Sequence, residues 1–445
     1  MPRSVAAQRL NDLATTFFVV KHDFSALLIG AKEEIIIIKI CDAIMGTGKT
    51  QASIAYMNAN PDKKFIFITP YLDEVKRIKN DCPALNFAEP SQKVSEGNYT
   101  KTGHTAILIE EERNIVTTHQ AFKYYTNEML DKIREIGYTL FIDESLGALE
   151  KCEVNVGDLE LLIQTGYIKE VEDGEYSLIK DDYDGEAFSD VFRILKSRNL
   201  RRLSRLGDVE LFYWSLPADM IAAFKDVFLL TYQFEGQTMK AMLDMNGMPY
   251  EFIGVERVDG GGFQFCDGPG YVPEYVKNLP DMIHIVDNKR MNEVGEKYHA
   301  LSLSWFEKNA SEVRQLKNNL YNYFTNVGRS EPASERMWST FKRAHSKLKG
   351  KGYTKQFTEC NLRATNAYRN KTRLAYCVNL FMNVGERMYY RNHGVEIDED
   401  LYALSNMIQW IWRSAIRDGK PITVYIPSRR MRTLLINWIN EVSGN

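Results

Sequence analysis

Eight consecutive residues, Ala43, Ile44, Met45, Gly46, Thr47, Gly48, Lys49 and Thr50, have the makeup of a cradle for a phosphate chain. Gly46 and Gly48 permit backbone angles closed to other residues and leave amide N–H groups free to face an anion. Lys49 can reach the outer phosphates, and the Thr50 hydroxyl is a hard oxygen ligand suited to magnesium. The first position of the usual G-x-x-x-x-G-K-[ST] pattern is Ala43 rather than Gly. A second set is the adjacent pair Asp143 and Glu144. One carboxylate can complete a magnesium shell while the other orients an attacking water and takes its proton. We assign Asp143 to the metal and Glu144 to the water. A third set, Gln409, Arg413 and Arg417, falls in QWIWRSAIR. On a helix these positions share one face at i, i+4 spacing. Guanidinium groups projected from a second domain can reach the outer phosphates as arginine fingers, and either arginine fits that role.

These residues need elements that aim them at one point. Ile35 to Ile38 are four β-branched residues in a row, the makeup of a strand buried on both faces of a parallel sheet. The run after the glycine loop reads as a helix, whose N-terminus adds partial positive charge to the anion site. Further strands are expected at 64–69, ending in Thr69 and Pro70; at 114–117, ending in Thr117, Thr118 and His119; at 138–142, ending in Asp143; and at 226–231. Each strand ends in polar residues, and open parallel sheets bind ligands at that end. The pattern predicts one α/β domain over residues 34–240, preceded by an N-terminal extension over 1–33.

Between Glu144 and Phe228 the pattern is interrupted, which predicts a small inserted subdomain at about 151–210. Its first part is acidic. Its second part, VFRILKSRNLRRLSRL over 191–206, carries Arg198, Arg201 and Arg202 among six basic residues, with leucines between them. Two readings stand side by side: a solvated helical face with an apolar underside, or a patch that tracks phosphates. A second α/β domain, without a phosphate loop of its own, is expected over 241–445. It would open on a hairpin with a glycine turn at 260–262, carry a long helical stretch over 308–349 broken at Pro332, and close on an amphipathic helix capped by Ser428.

Composition bounds the partners. Hydrophobic residues make up 44% of the 445 and charged residues 26%, both ordinary globular values. A net charge of −3 excludes a whole-molecule polycation, so any contact with nucleic acid must come from local basic patches. The six cysteines form no C-x-x-C pair and no metal-ligand spacing, which fits free thiols in a reducing cytoplasm. The apolar run at 17–29 is interrupted by Lys21, His22 and Asp23 and is too short to span a membrane.

Taken together the motifs resemble those of superfamily 2 helicases, the DExx-box group. AIMGTGKT resembles motif I, ITPYLDE motif Ia, VTTHQAF the strand-end segment before the second motif, FIDES motif II, NLRATNAYRN a motif V region and QWIWRSAIR motif VI. LLTYQFEG stands where motif III belongs, with Thr231, Tyr232 and Gln233 in place of small hydroxyl residues. The arginines of the motif VI segment are four apart rather than three, and Trp412 replaces a glycine. The resemblance implies an α/β fold of two RecA-like domains with ATP and magnesium between them. It implies single-stranded DNA, or RNA, crossing both domains past Thr69, Pro70 and Thr118 in the first and Arg363, Thr365 and Asn366 in the second. The activity it implies is an ATP-dependent DNA helicase or translocase of replication or recombination, soluble in the cytoplasm and similar to compact bacteriophage proteins. Two other readings remain open from the residues: a DNA-packaging motor ATPase, and a nucleotide-gated binding switch without unwinding.

Overall fold

The computed structural model describes residues 36–444, apart from 71, 95–96, 99, 153, 172–173, 181, 184–187, 197–199, 207–208, 328–331 and 361–366. The expected N-terminal extension therefore lies outside the described residues. Two largely parallel sheets with flanking helices form two α/β lobes.

The first sheet has seven strands in the order Phe263–Asp267, Tyr250–Arg257, Ile38–Asp42, Asp226–Thr231, Thr139–Asp143, Phe65–Thr69, Ile115–Thr118. All but the edge strand Phe263–Asp267 run parallel. Alternation along the strands loads both faces. Phe65, Phe67, Phe141 and Phe228 pack on one side, with Phe141 and Phe228 stacked at 4.6 Å between ring centroids. Ile66, Ile68, Leu140, Ile142 and Leu229 pack on the other. A strand with both faces apolar must be covered by helices on each side, which places it inside a three-layer lobe.

Two boundaries differ from the sequence reading. The hairpin Tyr250–Arg257 with Phe263–Asp267 does not open the second lobe; it pairs with Ile38–Asp42 and completes the first sheet. The strand that leads into the glycine loop would otherwise lie at a sheet edge with unpaired backbone groups. The inserted segment is the second difference. It is a three-stranded antiparallel sheet in the order Leu200–Leu206, Val209–Ser215, Leu149–Cys152, accompanied by helices. Residues 191–206 are thus a helix, Ser189–Lys196, followed by a strand rather than one helical face. A register shift falls between Arg202 and Ser204 in the pairing of this strand with Val209–Ser215.

The second sheet has five parallel strands in the order Ile283–Ile285, Ile422–Tyr425, Arg373–Tyr376, Arg336–Thr340, Phe357–Glu359. Arg336–Thr340 is fully buried at its centre and interrupts the stretch expected to be helical over 308–349. The lobes meet closely. The turn Phe234–Gly236 of the first lies on the helix Glu399–Ile411 of the second, and a Cβ on Gly236 would fall 2.5 Å from the Leu401 carbonyl carbon. No helix among the described residues is long and apolar enough to cross a membrane.

Candidate functional site

The strand Ile38–Asp42 ends in the glycine loop, and the helix Lys49–Ala59 starts at its far side. Gly46 and Gly48 both adopt left-handed backbone angles, with φ of 86° and 88°. Gly48 is confined as well as left-handed: a Cβ there would lie 2.4 Å from Cδ1 of Phe263. Gly48→Ala is expected to reduce binding of a fluorescent ATP analogue by at least about tenfold, because strain and overlap act together. Binding within twofold of wild type would show that the loop does not hold the nucleotide.

The Lys49 ammonium folds back onto the loop, donating to the Ala43 and Ile44 carbonyls. The Thr47 hydroxyl donates to the Ile44 carbonyl at 2.9 Å. The neighbouring strand backs both halves of the site. The Ala43 N–H donates to the Thr231 carbonyl at 3.1 Å, and the Glu144 N–H to the Leu230 carbonyl at 2.8 Å.

Asp143 ends the strand Thr139–Asp143 and is buried. Burial, with the charges of Glu144 and Glu74 beside it, pushes its carboxyl up from the ordinary 3.8 to about 7. The Thr69 hydroxyl donates to Asp143 Oδ2 at 3.0 Å, and a ring nitrogen of His119 contacts its carbonyl at 2.9 Å. Glu144 has φ of 64°, a left-handed conformation that costs of order 1 kcal/mol for a non-glycine residue. The Asp143 carboxylate lies at the edge of the glycine loop, in the same cleft as Thr50. Its hard oxygens, with the Thr50 hydroxyl, fit magnesium, which takes few protein ligands and completes its shell with phosphate and water.

The facing wall comes from the second lobe. One cleft of ≈ 720 Å³ is lined by Gly46 to Thr50, Asp143 and Glu144 on one side and by Gln409, Trp412, Arg413 and Arg417 on the other. That volume falls in the range of roughly 300–1,000 Å³ usual for small-molecule sites. Arg413 is buried, with a guanidinium nitrogen 3.9 Å from Glu144 Oε1. The arginines do not share one helix face as expected. The helix stops at Ile411, where the Ser414 hydroxyl donates to the Ile411 carbonyl at 2.6 Å, and Arg417 lies in the short 3-10 turn Ala415–Asp418. The turn nevertheless brings both to the cleft.

The protein shares 39% identity over 413 residues with the "SPbeta prophage-derived uncharacterized protein YonV" of Bacillus subtilis (strain 168), covering 91% of this chain and 99% of that one. This chain belongs to the YonV family. A family model described as the YonV C-terminal Rossmann-like domain matches residues 277–439, which hold the second sheet and the arginine-bearing turn. Solved structures with a similar chain path include one described as XPD_APO, with a TM-score of 0.44 and 10% identity, over 90% of this chain and 95% of that one. Xpd4 of S. tokodaii gives a TM-score of 0.43 and 11% identity over 90% and 94% of the two chains. A DEAD box protein from the hyperthermophile Methanococcus jannaschii gives 0.23 and 11%, over 92% and 86%.

Of the residues expected along a nucleic-acid path, Thr69, Pro70, Thr118, Arg201 and Arg202 are described. Pro70 lines the cleft. Thr69 is fully buried and spends its hydroxyl on Asp143, so it does not face a strand of nucleic acid. The Thr118 hydroxyl accepts from the Ala121 N–H and caps a short helix. Arg201 pairs with Glu175 at 2.9 Å and Arg202 with Glu170, so acidic residues of the insertion itself offset both. Arg198, Arg363, Thr365 and Asn366 lie outside the described residues. Sequence reasoning also missed several lining residues. Phe263 and Tyr275 wall the glycine loop, and Glu74, Arg77 and Arg369 line the cleft. Glu74 sits inside ITPYLDE and could have been singled out as a third carboxylate; the aromatic pair had no local signal.

Proposed function

We propose that this protein is a nucleic-acid-stimulated ATP hydrolase of the helicase or translocase type, working at the cleft between its two lobes. The observation that carries the reading is the shared cleft: the Lys49 loop and the Asp143–Glu144 pair form one wall, and Gln409, Arg413 and Arg417 form the other. A triphosphate in that space meets fixed amide dipoles from one lobe and guanidinium groups from the other, so its bond energy can be spent on moving the lobes.

In this reading Lys49 leaves the Ala43 carbonyl for the outer phosphates. Thr50 and Asp143 hold magnesium, which offsets charge on the phosphate oxygens. Glu144 accepts a proton from the water that attacks the terminal phosphorus as the bond to ADP breaks. Arg413 stabilises the charge on the transferring group. Single-stranded DNA is the proposed stimulant, and a phage setting for replication or recombination follows the prophage origin of the B. subtilis relative.

The test is ATP turnover with and without single-stranded DNA. Lys49→Ala and Glu144→Gln are each expected to lower turnover by roughly a hundredfold or more, with fold and secondary structure unchanged. Turnover that both variants retain would overturn the assignment of the cleft. Turnover indifferent to single-stranded DNA would remove the motor part of the reading and leave a plain hydrolase.

A further inference from the structure

The glycine loop is tied to the second lobe by more than the ligand space. Ile44 is buried in the core of the second lobe, among Leu404, Ile408 and Trp412, and Met45 packs against the same cluster. From Met45 a chain of aromatic contacts leads away. The Tyr275 phenol donates to the Met45 carbonyl. Tyr275 packs against the apolar cluster that holds Trp412. Trp412 stands edge-on to Trp438, with ring centroids 5.5 Å apart and planes at 85°. The Trp438 indole N–H donates to the Tyr232 phenol oxygen at 2.8 Å. Tyr232 directly follows the strand Asp226–Thr231, whose end carbonyls hold Ala43 and Glu144. The path thus starts on the glycine loop, crosses the second lobe, and returns to the strand behind that loop.

Two of its members stand where the sequence departs from the helicase pattern: Tyr232 in place of a small hydroxyl residue, and Trp412 in place of a glycine. Trp412 immediately precedes Arg413 in the chain, and both line the cleft. Both tryptophans, Trp412 and Trp438, are buried, at 4% and 2% exposure, so their rings are held by packing. Burial keeps both phenols protonated, so their hydrogen bonds persist across the physiological pH range.

We propose that Trp438 is a positioning residue that, through Tyr232 and Trp412, sets the place of Arg413 relative to the glycine loop, so that occupancy of the loop and placement of the arginine change together. Trp438 touches neither nucleotide nor magnesium. It acts through Trp412, and its bond to Tyr232 fixes the spacing of the two lobes. The proposal rests on the hydrolytic reading for its consequence in turnover and on geometry alone for its consequence in binding.

Trp438→Phe and Tyr232→Phe each delete the same hydrogen bond from opposite ends while keeping a ring in place. Steady-state ATP hydrolysis is measured with magnesium and oligodeoxythymidylate for both variants and for the double variant. Each single variant is expected to lower kcat by about fivefold, the low end of typical coupling between sites, with KM within about twofold. The double variant is expected to fall no further than either single one, because all three lack the same bond. Unchanged kcat in Tyr232→Phe, or losses that multiply in the double variant, would overturn the proposal. Should the protein not hydrolyse ATP at all, the hydrolytic reading fails separately, and intrinsic emission decides the proposal. Tyr232→Phe keeps all six tryptophans. A change in emission on adding magnesium and a non-hydrolysable ATP analogue, present in wild type and diminished in Tyr232→Phe, supports the relay. An equal response in both, or none in wild type, rejects it.

Discussion

Arg413→Ala is expected to lower ATP turnover by about a thousandfold with KM for ATP within about threefold of wild type. Arg413 and Arg417 were equivalent as fingers from their spacing alone, and the structure separates them. Arg413 is buried and lies 3.9 Å from the Glu144 carboxylate, the group assigned to the attacking water. In the proposed reaction a guanidinium there would meet charge that grows on the terminal phosphate during transfer, so its loss should raise the barrier more than it weakens ground-state binding. Arg417 lies nearer Glu74, whose carboxyl it helps keep charged against burial. Arg417→Ala is accordingly expected to have the smaller effect on kcat. Steady-state kinetics of both variants check this, and the reverse ranking would exchange their roles.

Asp143→Asn is expected to abolish magnesium-dependent turnover and at the same time to stabilise the empty protein at pH 8. The carboxyl is raised from 3.8 to about 7 by burial and by Glu144 and Glu74. Between about pH 4 and 7 the folded state keeps a proton that the unfolded chain has released. Stability of the empty protein therefore falls as pH rises through that window, and levels off above it. The upper bound of this cost is about 4 kcal/mol, at roughly 1.4 kcal/mol per pH unit, and local relaxation reduces it. Asparagine keeps an oxygen for the Thr69 hydroxyl and carries no charge to bury. The midpoint of thermal unfolding should therefore exceed that of wild type at pH 8 and match it near pH 4. Magnesium would change the sign for wild type, because the ion offsets the buried charge; its binding should release one proton below pH 7 and weaken as pH drops further. A variant less stable than wild type at pH 8 would show that Asp143 is not held at this cost.

The first sheet was legible because each of its central strands is a short apolar run with a polar end, and KKFIFITP alternates phenylalanine and isoleucine to load two faces. The glycine loop and the carboxylate pair were legible for the same reason: they sit at strand ends. What was not legible depended on pairing between distant segments. Nothing local in EFIGVERV tells that the hairpin it forms with Phe263–Asp267 joins Ile38–Asp42 rather than the sheet of the second lobe. RMWST is bounded by Arg336 and Thr340, both buried, and so lacks the apolar run of an interior strand. The helix before Arg413 ends without glycine or proline, through a serine hydroxyl on a carbonyl one turn back. The basic segment left two readings open because the acidic partners of Arg201 and Arg202, Glu175 and Glu170, lie about thirty residues earlier and meet them only across the folded insertion.

The account stands on one triphosphate being held by both lobes at once. The most direct measurement is the structure of the protein with magnesium and a non-hydrolysable ATP analogue. The account predicts the terminal phosphate within hydrogen-bond reach of Lys49 Nζ and of the Arg413 guanidinium, with the Lys49 contact to the Ala43 carbonyl broken. A nucleotide bound elsewhere, or phosphates on the glycine loop with Arg413 still on Glu144 and turned from them, would contradict it.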